Sequence, residues 1–302
     1  MIEGAAWAHT LQRKRVTAAD GTRIHYEVVG EGGPAILLAN GLGGRLYAWR
    51  PLLDALWQTH RLITWDYRGL FDSDTPTSRR KLSLAHHSED ALAVLSAEGV
   101  DRAVFVGWSM GVQVSLDVAA TNPERVAGLI LINGTWGHVL RYGFQPLFTV
   151  PMLPRALHWL IDWVSDHAAV ARPLAAGSRL IELPTALLFG VTAGRRSLSM
   201  RPMLRRYFDD VLGPSFPNYV RLFQELDAHS VYHVLREIDA PALVISGALD
   251  VLTPAYQSYR VARRLPNAEH LALWRASHFA LLERAELIVP RVKRFLVERA
   301  VW

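Results

Sequence analysis

The chain has 302 residues, of which 50% are hydrophobic and 20% are charged, and this composition is typical of a globular protein rather than a disordered one. It contains no cysteine, which excludes disulfides, thiol chemistry and cysteine-based metal sites. We see no apolar segment long enough to span a membrane and no signal peptide, so we expect a cytoplasmic protein. Its length predicts one large domain, or a domain that carries an insertion.

The formal net charge is +5, and most basic residues are scattered along the chain. One dense cluster consists of Arg195, Arg196, Arg201, Arg205 and Arg206. No nucleic-acid-binding motif accompanies this cluster, so we expect no nucleic acid partner. A solvated helix face is the favoured interpretation of the cluster, and an anion-binding patch is the alternative.

The predicted elements begin with a hairpin, in which 15–18 and 23–29 flank an Asp-Gly turn. Short apolar runs then predict buried strands at 35–39, 62–65, 103–106, 126–132, 242–246 and 269–274. Patterns with helical periodicity lie between the strands, and the clearest are at 49–59, 83–98, 110–119 and 281–301. Strands that alternate with amphipathic helices predict a mostly parallel central sheet with helices on both faces.

The alternation of strands and helices stops between Asn133 and Asp239. This stretch is rich in proline and aromatic residues and has no clear strand, and the strand pattern resumes at Pro241. We therefore expect a helical insertion between two parts of the sheet.

The central motif is Gly-Trp-Ser-Met-Gly at 107–111, between a predicted strand and a predicted helix. A direct turn from strand to helix strains its middle residue, and side chains at Gly107 or Gly111 would crowd that turn. The G-x-S-x-G pattern therefore predicts a nucleophilic Ser109 at the positive end of a helix. An ordinary glycine-flanked turn is the alternative.

Two later residues complete a possible triad. A serine hydroxyl needs a base to take its proton and a carboxylate to orient that base, and in α/β folds such groups follow strand ends. Asp250 follows the strand at 242–246, and His278 follows the strand at 269–274. Singly, each could be a capping or core residue; jointly with Ser109, they predict a Ser-His-Asp triad in the order Ser, Asp, His.

Other candidate acids and histidines fit less well. Asn133-Gly134-Thr135 follows the strand at 126–132 and offers no carboxylate, and Asp239 precedes its strand. The other histidines considered lie in a predicted helix or in the insertion, and they are His86, His87, His138, His158, His167, His229 and His233. No spacing of His, Asp and Glu indicates a metal site.

Acyl transfer also needs hydrogen-bond donors for the developing oxyanion, each worth about 3 kcal/mol. The backbone N–H of Met110, at the start of a helix, is one predicted donor. The other is the N–H of Leu42, because Gly43 and Gly44 let that loop approach a substrate closely. A phosphate-binding loop is the alternative, but the sequence lacks the Lys-Ser/Thr or G-x-G-x-x-G pattern of such loops.

The chain resembles the capped esterase, lipase and enol-lactonase branch of the α/β-hydrolases over nearly its whole length. The segments that carry the resemblance are Asn40–Gly44, Asp66–Gly69, 107–111, 247–250 and 277–279. The resemblance implies an α/β-hydrolase fold whose core is formed by 1–135 and 236–302. It also implies that 136–235 is a helical cap, or lid, over the active site.

The sequence departs from the family pattern at three positions. The loop that usually begins His-Gly begins with Asn40 and Gly41, so the contact of that histidine is expected to be absent or altered. Val112 and Phe71 replace glycines that are common in the family. We expect Phe71 to narrow the site.

These observations predict a serine hydrolase that cleaves esters through an acyl-enzyme and needs no cofactor. Hydrolysis of lactones, thioesters or C–C bonds on the same triad remains open, and the arginine cluster could contact a phosphate-bearing thioester carrier. A ligand receptor with slow turnover on this fold is an alternative of another class. The expected substrate is a small molecule with an apolar acyl group. Its predicted pocket residues are Asn40, Gly41, Trp108, Trp136, Trp159 and Trp163.

Overall fold

The computed structural model describes residues 4–30, 32–139, 159, 163 and 195–302, except for the side chains of 195–201 and 208. The strands are β1 Gln12–Thr17, β2 Arg23–Val29, β3 Ala35–Ala39, β4 Arg61–Trp65, β5 Ala103–Trp108, β6 Val126–Ile132, β7 Ala242–Gly247 and β8 Ala268–Leu273. The described α-helices are α1 Arg50–Leu56, α2 Leu84–Ala97, α3 Met110–Thr121, α4 Arg195–Val211, α5 Phe216–Ala228, α6 Ala255–Arg264, α7 Ala280–Glu283 and α8 Ala285–Glu298. Short 3₁₀ helices lie at Ala6–Thr10, Leu46–Trp49, Arg79–Leu82, Pro123–Arg125 and Leu235–Glu237.

The eight strands form one sheet in the order β1-β2-β4-β3-β5-β6-β7-β8. The pairs β1–β2 and β2–β4 are antiparallel, and every pair from β4 to β8 is parallel. The predicted, mostly parallel sheet is therefore confirmed. The central strands β3, β5, β6 and β7 are buried along their whole length, as continuous apolar runs in parallel sheets usually are.

Helices cover both faces of the sheet. On one face, Leu37 and Phe105 of the sheet pack in one core with buried residues of α2, α3 and α6. On the other face, Ile36 and Val104 share a core with α1 and α8. Because side chains alternate along a strand, neighbouring residues such as Ile36 and Leu37 belong to opposite cores. Because the strands from β4 to β8 pair in parallel, their carboxyl ends lie along one edge of the sheet.

Two predicted helices differ from the observed ones. The predicted helix at 49–59 is a 3₁₀ turn, Leu46–Trp49, followed by α1. The predicted helix at 281–301 is broken at Arg284, where φ is −131° and ψ is 38°, and forms α7 and α8. Hydrophobic periodicity does not detect such a break, because the apolar positions continue across it.

The predicted insertion is described only in part. Residues 140–158, 160–162 and 164–194 of the predicted 136–235 cap lie outside the described residues. Its described remainder includes α4 and α5 and an isolated antiparallel bridge between Gly137 and Ser230. Within the described part of the chain, no helix is both long and apolar enough to cross a membrane.

Candidate active site

Ser109 occupies a sharp turn between β5 and α3. Its φ of 55° and ψ of −113° are unusual for a residue with a side chain, and such strain is concentrated at functional sites. Two glycines make the turn possible. A Cβ atom at Gly107 would collide with the Gly111 backbone, and one at Gly111 would collide with the Ala39 carbonyl oxygen. Only glycine fits at either position. With glycine at both, the chain can turn directly from β5 into α3, and Ser109 lies at the edge of the sheet where β5 ends.

The two residues predicted as oxyanion donors lie near this serine in the fold, because they line the same cavity. Met110 is the first residue of α3, and the first N–H groups of a helix have no partner within it. Leu42 lies in the loop after β3, and both residues line one cavity with Ser109. The hydroxyl of Tyr207, on α4, donates a 2.6 Å hydrogen bond to the Leu42 carbonyl oxygen. Desolvation raises the pKa of Tyr207 well above its ordinary value, so this hydroxyl keeps its proton.

Asp250 and His278 form a direct pair. Asp250 follows β7 and His278 follows β8, and the His278 Nδ1 atom lies 2.9 Å from the Asp250 Oδ2 atom. Both residues are buried, with 5% and 4% of their surface exposed. Because ionised carboxylates only accept hydrogen bonds, the proton of this contact lies on Nδ1. The lone pair on Nε2 is then available to accept a proton.

The Asp250 carboxylate is surrounded by donors. Its Oδ1 atom accepts hydrogen bonds from the backbone N–H groups of Leu252 and Thr253, each 2.9 Å long. Its Oδ2 atom lies 2.8 Å from the Thr253 hydroxyl and 2.6 Å from Asn133 Nδ2. These four contacts hold the carboxylate in one orientation.

The loop that carries His278 is held by side chains. The Trp108 indole N–H donates a 2.9 Å hydrogen bond to the His278 carbonyl oxygen. The buried Glu283 carboxylate accepts hydrogen bonds from the Ser277 N–H and from the Ser277 hydroxyl, the latter 2.6 Å long. The imidazole position is therefore fixed through its own backbone as well as through Asp250.

A cavity of about 130 Å³ opens at this edge of the sheet. The described residues that line it are Leu42, Ser109, Met110, Thr135, Val139, Tyr207, Tyr219, Phe223, Leu226, Leu252, Thr253 and His278. Most of these side chains are apolar or aromatic. The helices α4 and α5 supply Tyr207, Tyr219, Phe223 and Leu226, so they form one wall of the cavity.

The cavity lining differs from the pocket residues predicted from the sequence. Asn40 is 1% exposed; its amide donates to the Trp65 carbonyl oxygen and accepts from the Trp49 indole. The buried Asn40 amide therefore connects the loop after β3 to Trp65 and Trp49. Gly41 packs against the ring of Trp108, where a Cβ atom would lie only 2.7 Å from that ring.

The other predicted tryptophans also lie outside the described lining. Trp136 packs against Tyr232 with tilted rings, 5.1 Å between ring centres, and is 3% exposed. Trp159 is 68% exposed, and Trp163 is half-buried. Counting large aromatic residues in the insertion does not identify which of them face the cavity.

The three departures from the family pattern have local explanations in the structure. Asn40 makes the contacts given above. Val112 fits because it faces Gly134, where a Cβ atom would collide with the valine side chain. Phe71 adopts a φ of 53°, and the Arg45 guanidinium lies 4.7 Å from its ring centre. Phe71 is not among the described cavity residues.

The arginine cluster lies on α4. Of its members with described side chains, Arg205 is exposed, whereas Arg206 lies over the Tyr47 ring at 5.0 Å and faces Asp210. Arg195, Arg196 and Arg201 have no described side chains.

One group of potential metal ligands lies elsewhere in the described part of the chain. Donor atoms of His25, Asp66 and Asp72 all lie within 4.8 Å of one another. The Arg45 guanidinium binds both carboxylates, so the group is an ion-pair network. Burial, and the charge of Asp66, raise the pKa of the neighbouring Glu27.

Sequence reasoning did not identify the roles of several residues that support the candidate site. Asn133 was considered only as a missing acid, although its amide reaches Asp250. Trp108 was expected in the pocket rather than on the His278 backbone, and Tyr207 was not singled out. The position of Asn133 directly after β6, beside β7, is the one sequence signal that could have pointed to Asp250.

The chain is similar to known proteins over most of its length. The model of the alpha/beta hydrolase fold family matches residues 34–285. "Putative carbamate hydrolase RutD" of Agrobacterium fabrum is 27% identical over 301 residues, which cover 91% of this chain and 98% of that protein.

Solved structures agree in fold. The enol-lactonase from Burkholderia xenovorans LB400 has a TM-score of 0.76 at 24% identity, over 94% of this chain and 100% of that one. A hydrolase from Pseudomonas aeruginosa PA01 has a TM-score of 0.74 at 25% identity, over 94% and 98% of the two chains. Because the family model matches residues 34–285, which is more than half of the chain, the chain belongs to the alpha/beta hydrolase fold family.

Proposed function

We propose that the protein is a serine hydrolase that cleaves carboxylic esters of apolar acyl groups through an acyl-enzyme. The observation that carries the proposal is the arrangement of three side chains. Ser109 and His278 line one cavity, and the Asp250 carboxylate lies 2.9 Å from His278 Nδ1. Each of the three follows the carboxyl end of a different strand, which is where catalytic groups of α/β proteins usually lie.

In the proposed acylation, the Ser109 oxygen attacks the ester carbonyl carbon while His278 Nε2 takes the serine proton. Asp250 holds the imidazole in the tautomer with the proton on Nδ1 and stabilises the imidazolium. The N–H groups of Leu42 and Met110 donate to the carbonyl oxygen as it becomes an oxyanion. His278 then gives its proton to the leaving alcohol, and the acyl group stays on Ser109.

In the proposed deacylation, water enters where the alcohol left. His278 takes a proton from that water, whose oxygen attacks the acyl carbon, and the same two N–H groups bind the second oxyanion. Collapse returns the proton to the Ser109 oxygen and releases the carboxylic acid.

We propose that 136–235 forms the cap over this site. Support comes from α4 and α5, which belong to this segment and contribute four residues to the cavity wall. The mainly apolar lining supports an apolar acyl group, because each buried methylene contributes about 0.8 kcal/mol.

Related bonds remain candidates within the same chemistry. A carbamate and an enol lactone, which appear in the names of similar proteins, also have a carbonyl carbon joined to a heteroatom leaving group. A substrate panel should therefore include acyl esters, lactones, carbamates and thioesters. Esters with apolar acyl chains are expected to give the highest kcat/KM.

The direct test uses a fluorophosphonate probe, which reacts with activated serines. We expect labelling of Ser109, loss of labelling and of ester turnover in Ser109→Ala, and many turnovers per molecule of the wild type. A single turnover followed by retention of the product would favour the receptor alternative. Labelling that persists in Ser109→Ala would contradict the assignment of the nucleophile.

A further inference from the structure

The amide of Asn133 lies between the loops that carry Asp250 and His278. Its Nδ2 atom is 2.6 Å from Asp250 Oδ2 and 3.0 Å from the carbonyl oxygen of Ser277, the residue before His278. An amide nitrogen has two hydrogens, so each contact can receive one of them. A single side chain thus spans the two loops.

The orientation of this amide is fixed by its partners. Both are acceptors, so the nitrogen and not the oxygen must face them. Asn133 is 0% exposed, which shields both hydrogen bonds from water. Hydrogen bonds to an ionised group are stronger than neutral ones, and the contact with Asp250 belongs to this kind.

The backbone of Asn133 is tied to the same region. Its N–H donates to the Ile245 carbonyl oxygen of β7, and its carbonyl oxygen accepts a 2.7 Å hydrogen bond from the Thr253 hydroxyl. The backbone N–H of Thr253 donates a 2.9 Å hydrogen bond to Asp250 Oδ1. The residue is therefore joined to the acid both through its side chain and through Thr253.

The backbone also offers a simpler explanation for an asparagine here. Asn133 has a φ of 47°, and asparagine tolerates the left-handed region better than most residues do. Glycine would satisfy this requirement at least as well. If only the backbone conformation matters, a change to glycine should leave kcat unchanged. If the amide contacts matter, the same change should lower kcat.

We propose that Asn133 is a positioning residue for the Asp250–His278 pair. Its amide holds the Asp250 carboxylate on one side and the peptide that leads into His278 on the other. The inference rests on the proposed serine hydrolase function, and it assigns Asn133 no contact with the substrate.

The first test compares Asn133→Gly with the wild type. We expect kcat to fall about 10-fold to 100-fold, the range for losing a hydrogen bond to a charged group, with little change in KM. The rate of labelling by a fluorophosphonate should fall by the same factor, because both report activation of Ser109. Asn267→Gly is the matched control, since the Asn267 amide bonds the Asp239 carbonyl at an exposed site.

The second test uses Asn133→Asp, which keeps the shape and tolerates the same φ. A carboxyl beside Asp250 can donate a hydrogen bond only while it is protonated, and when ionised it repels the Asp250 charge. The ratio of kcat/KM in this variant to that in the wild type should therefore rise as the pH is lowered. This measurement also tests the positioning role of Asn133 if the glycine variant does not fold.

The inference would be overturned if Asn133→Gly kept the wild-type kcat, or if Asn267→Gly lost as much kcat as Asn133→Gly. It would also be overturned if a folded Asn133→Asp showed the same ratio of kcat/KM to the wild type at every pH. Failure of the fluorophosphonate to label the wild-type serine is a different result. It would overturn the proposed function, and the role of Asn133 with it.

Discussion

The indole N–H of Trp108 donates a 2.9 Å hydrogen bond to the carbonyl oxygen of His278. Trp108 directly precedes Ser109, so this bond joins the loop of the proposed nucleophile to that of the proposed base. The tryptophan ring also packs against the His278 imidazole, with 5.6 Å between ring centres. One side chain therefore connects the two loops directly.

Replacing Trp108 with Phe should keep most of the ring packing and remove this hydrogen bond. A hydrogen bond is worth about 1 kcal/mol, so kcat is expected to fall about fivefold with KM almost unchanged. Trp7→Phe is the matched control, because the Trp7 indole donates to Asp54 away from the site. Steady-state kinetics measure kcat in both variants. Equal values of kcat would contradict a positioning role for Trp108.

Replacing Asp250 with Asn should lower kcat by roughly 10⁴, because the imidazole would lose its carboxylate partner and adopt the wrong tautomer. The fold should survive, since an asparagine has the same shape. Far-ultraviolet circular dichroism and an unfolding curve serve as controls. If the variant keeps most of its ester hydrolysis, Asp250 is not the catalytic acid.

Replacing Tyr207 with Phe removes the hydrogen bond to the Leu42 carbonyl oxygen. We expect kcat to fall about fivefold for every ester tested, because the loop that carries the proposed oxyanion donor Leu42 loses its support. Affinity for a boronic acid, which resembles the tetrahedral intermediate, should fall in parallel. A loss confined to long acyl chains would instead mean that Tyr207 acts through the pocket wall.

Along a series of p-nitrophenyl esters, kcat/KM should rise from acetate to butyrate or hexanoate and then fall. Each methylene can contribute up to about fourfold until the chain outgrows the cavity. Phe223→Ala should move the optimum to longer chains, because Phe223 lines the cavity. Val297, which is 85% exposed, provides the control substitution Val297→Ala. A preference for acetate or for charged acyl groups would exclude the apolar pocket.

The buried His87 should make stability depend on pH. Burial, together with the Arg68 charge, lowers the pKa of His87 to about 3, whereas an unfolded histidine titrates near 6.5. Between these values the unfolded chain binds the extra proton, so the free energy of unfolding falls as the pH drops from about 6.5 to about 3. In His87→Leu this dependence should be weaker by about 1 kcal/mol or more.

Chemical denaturation at pH 5 and at pH 8 measures this effect. Relative to the wild type, His87→Leu should gain stability at pH 5 beyond any change at pH 8. An identical pH dependence in the two proteins would show that His87 does not contribute. Activity at pH 8 is the control for folding, because His87 packs on Tyr67 outside the described cavity.

The sheet was predictable from the sequence because its central strands are short, continuous apolar runs with turn residues at their ends. The runs at 35–39 and 126–132 match β3 and β6 residue for residue. The start of β1 was harder to predict, because Gln12 is polar and its place in the strand depends on pairing with β2. Strand ends also led to Ser109, Asp250 and His278, because topology alone places them along one edge.

The contacts that support these three residues could not be predicted in the same way. Asn133 and Asp250 are 117 positions apart, and Trp108 and His278 are 170 apart. No local pattern encodes such pairs, because they depend on the exact distance between loops of different strands. The described cavity lining could not be predicted for a related reason: hydrophobicity favours burial of a tryptophan but does not say against which surface it packs.

The position of Gly43 has a consequence for making chimaeras of this protein. Its φ is +82°, and a Cβ atom there would lie 2.5 Å from a Val211 methyl and 3.0 Å from the Tyr219 ring. The loop after β3 therefore packs so closely against α4 and α5 that no side chain fits at Gly43. A graft that exchanges 136–235 for the segment of a relative would bring foreign side chains against this loop. A chimaera should therefore exchange 136–235 together with this loop, which carries the proposed oxyanion donor Leu42.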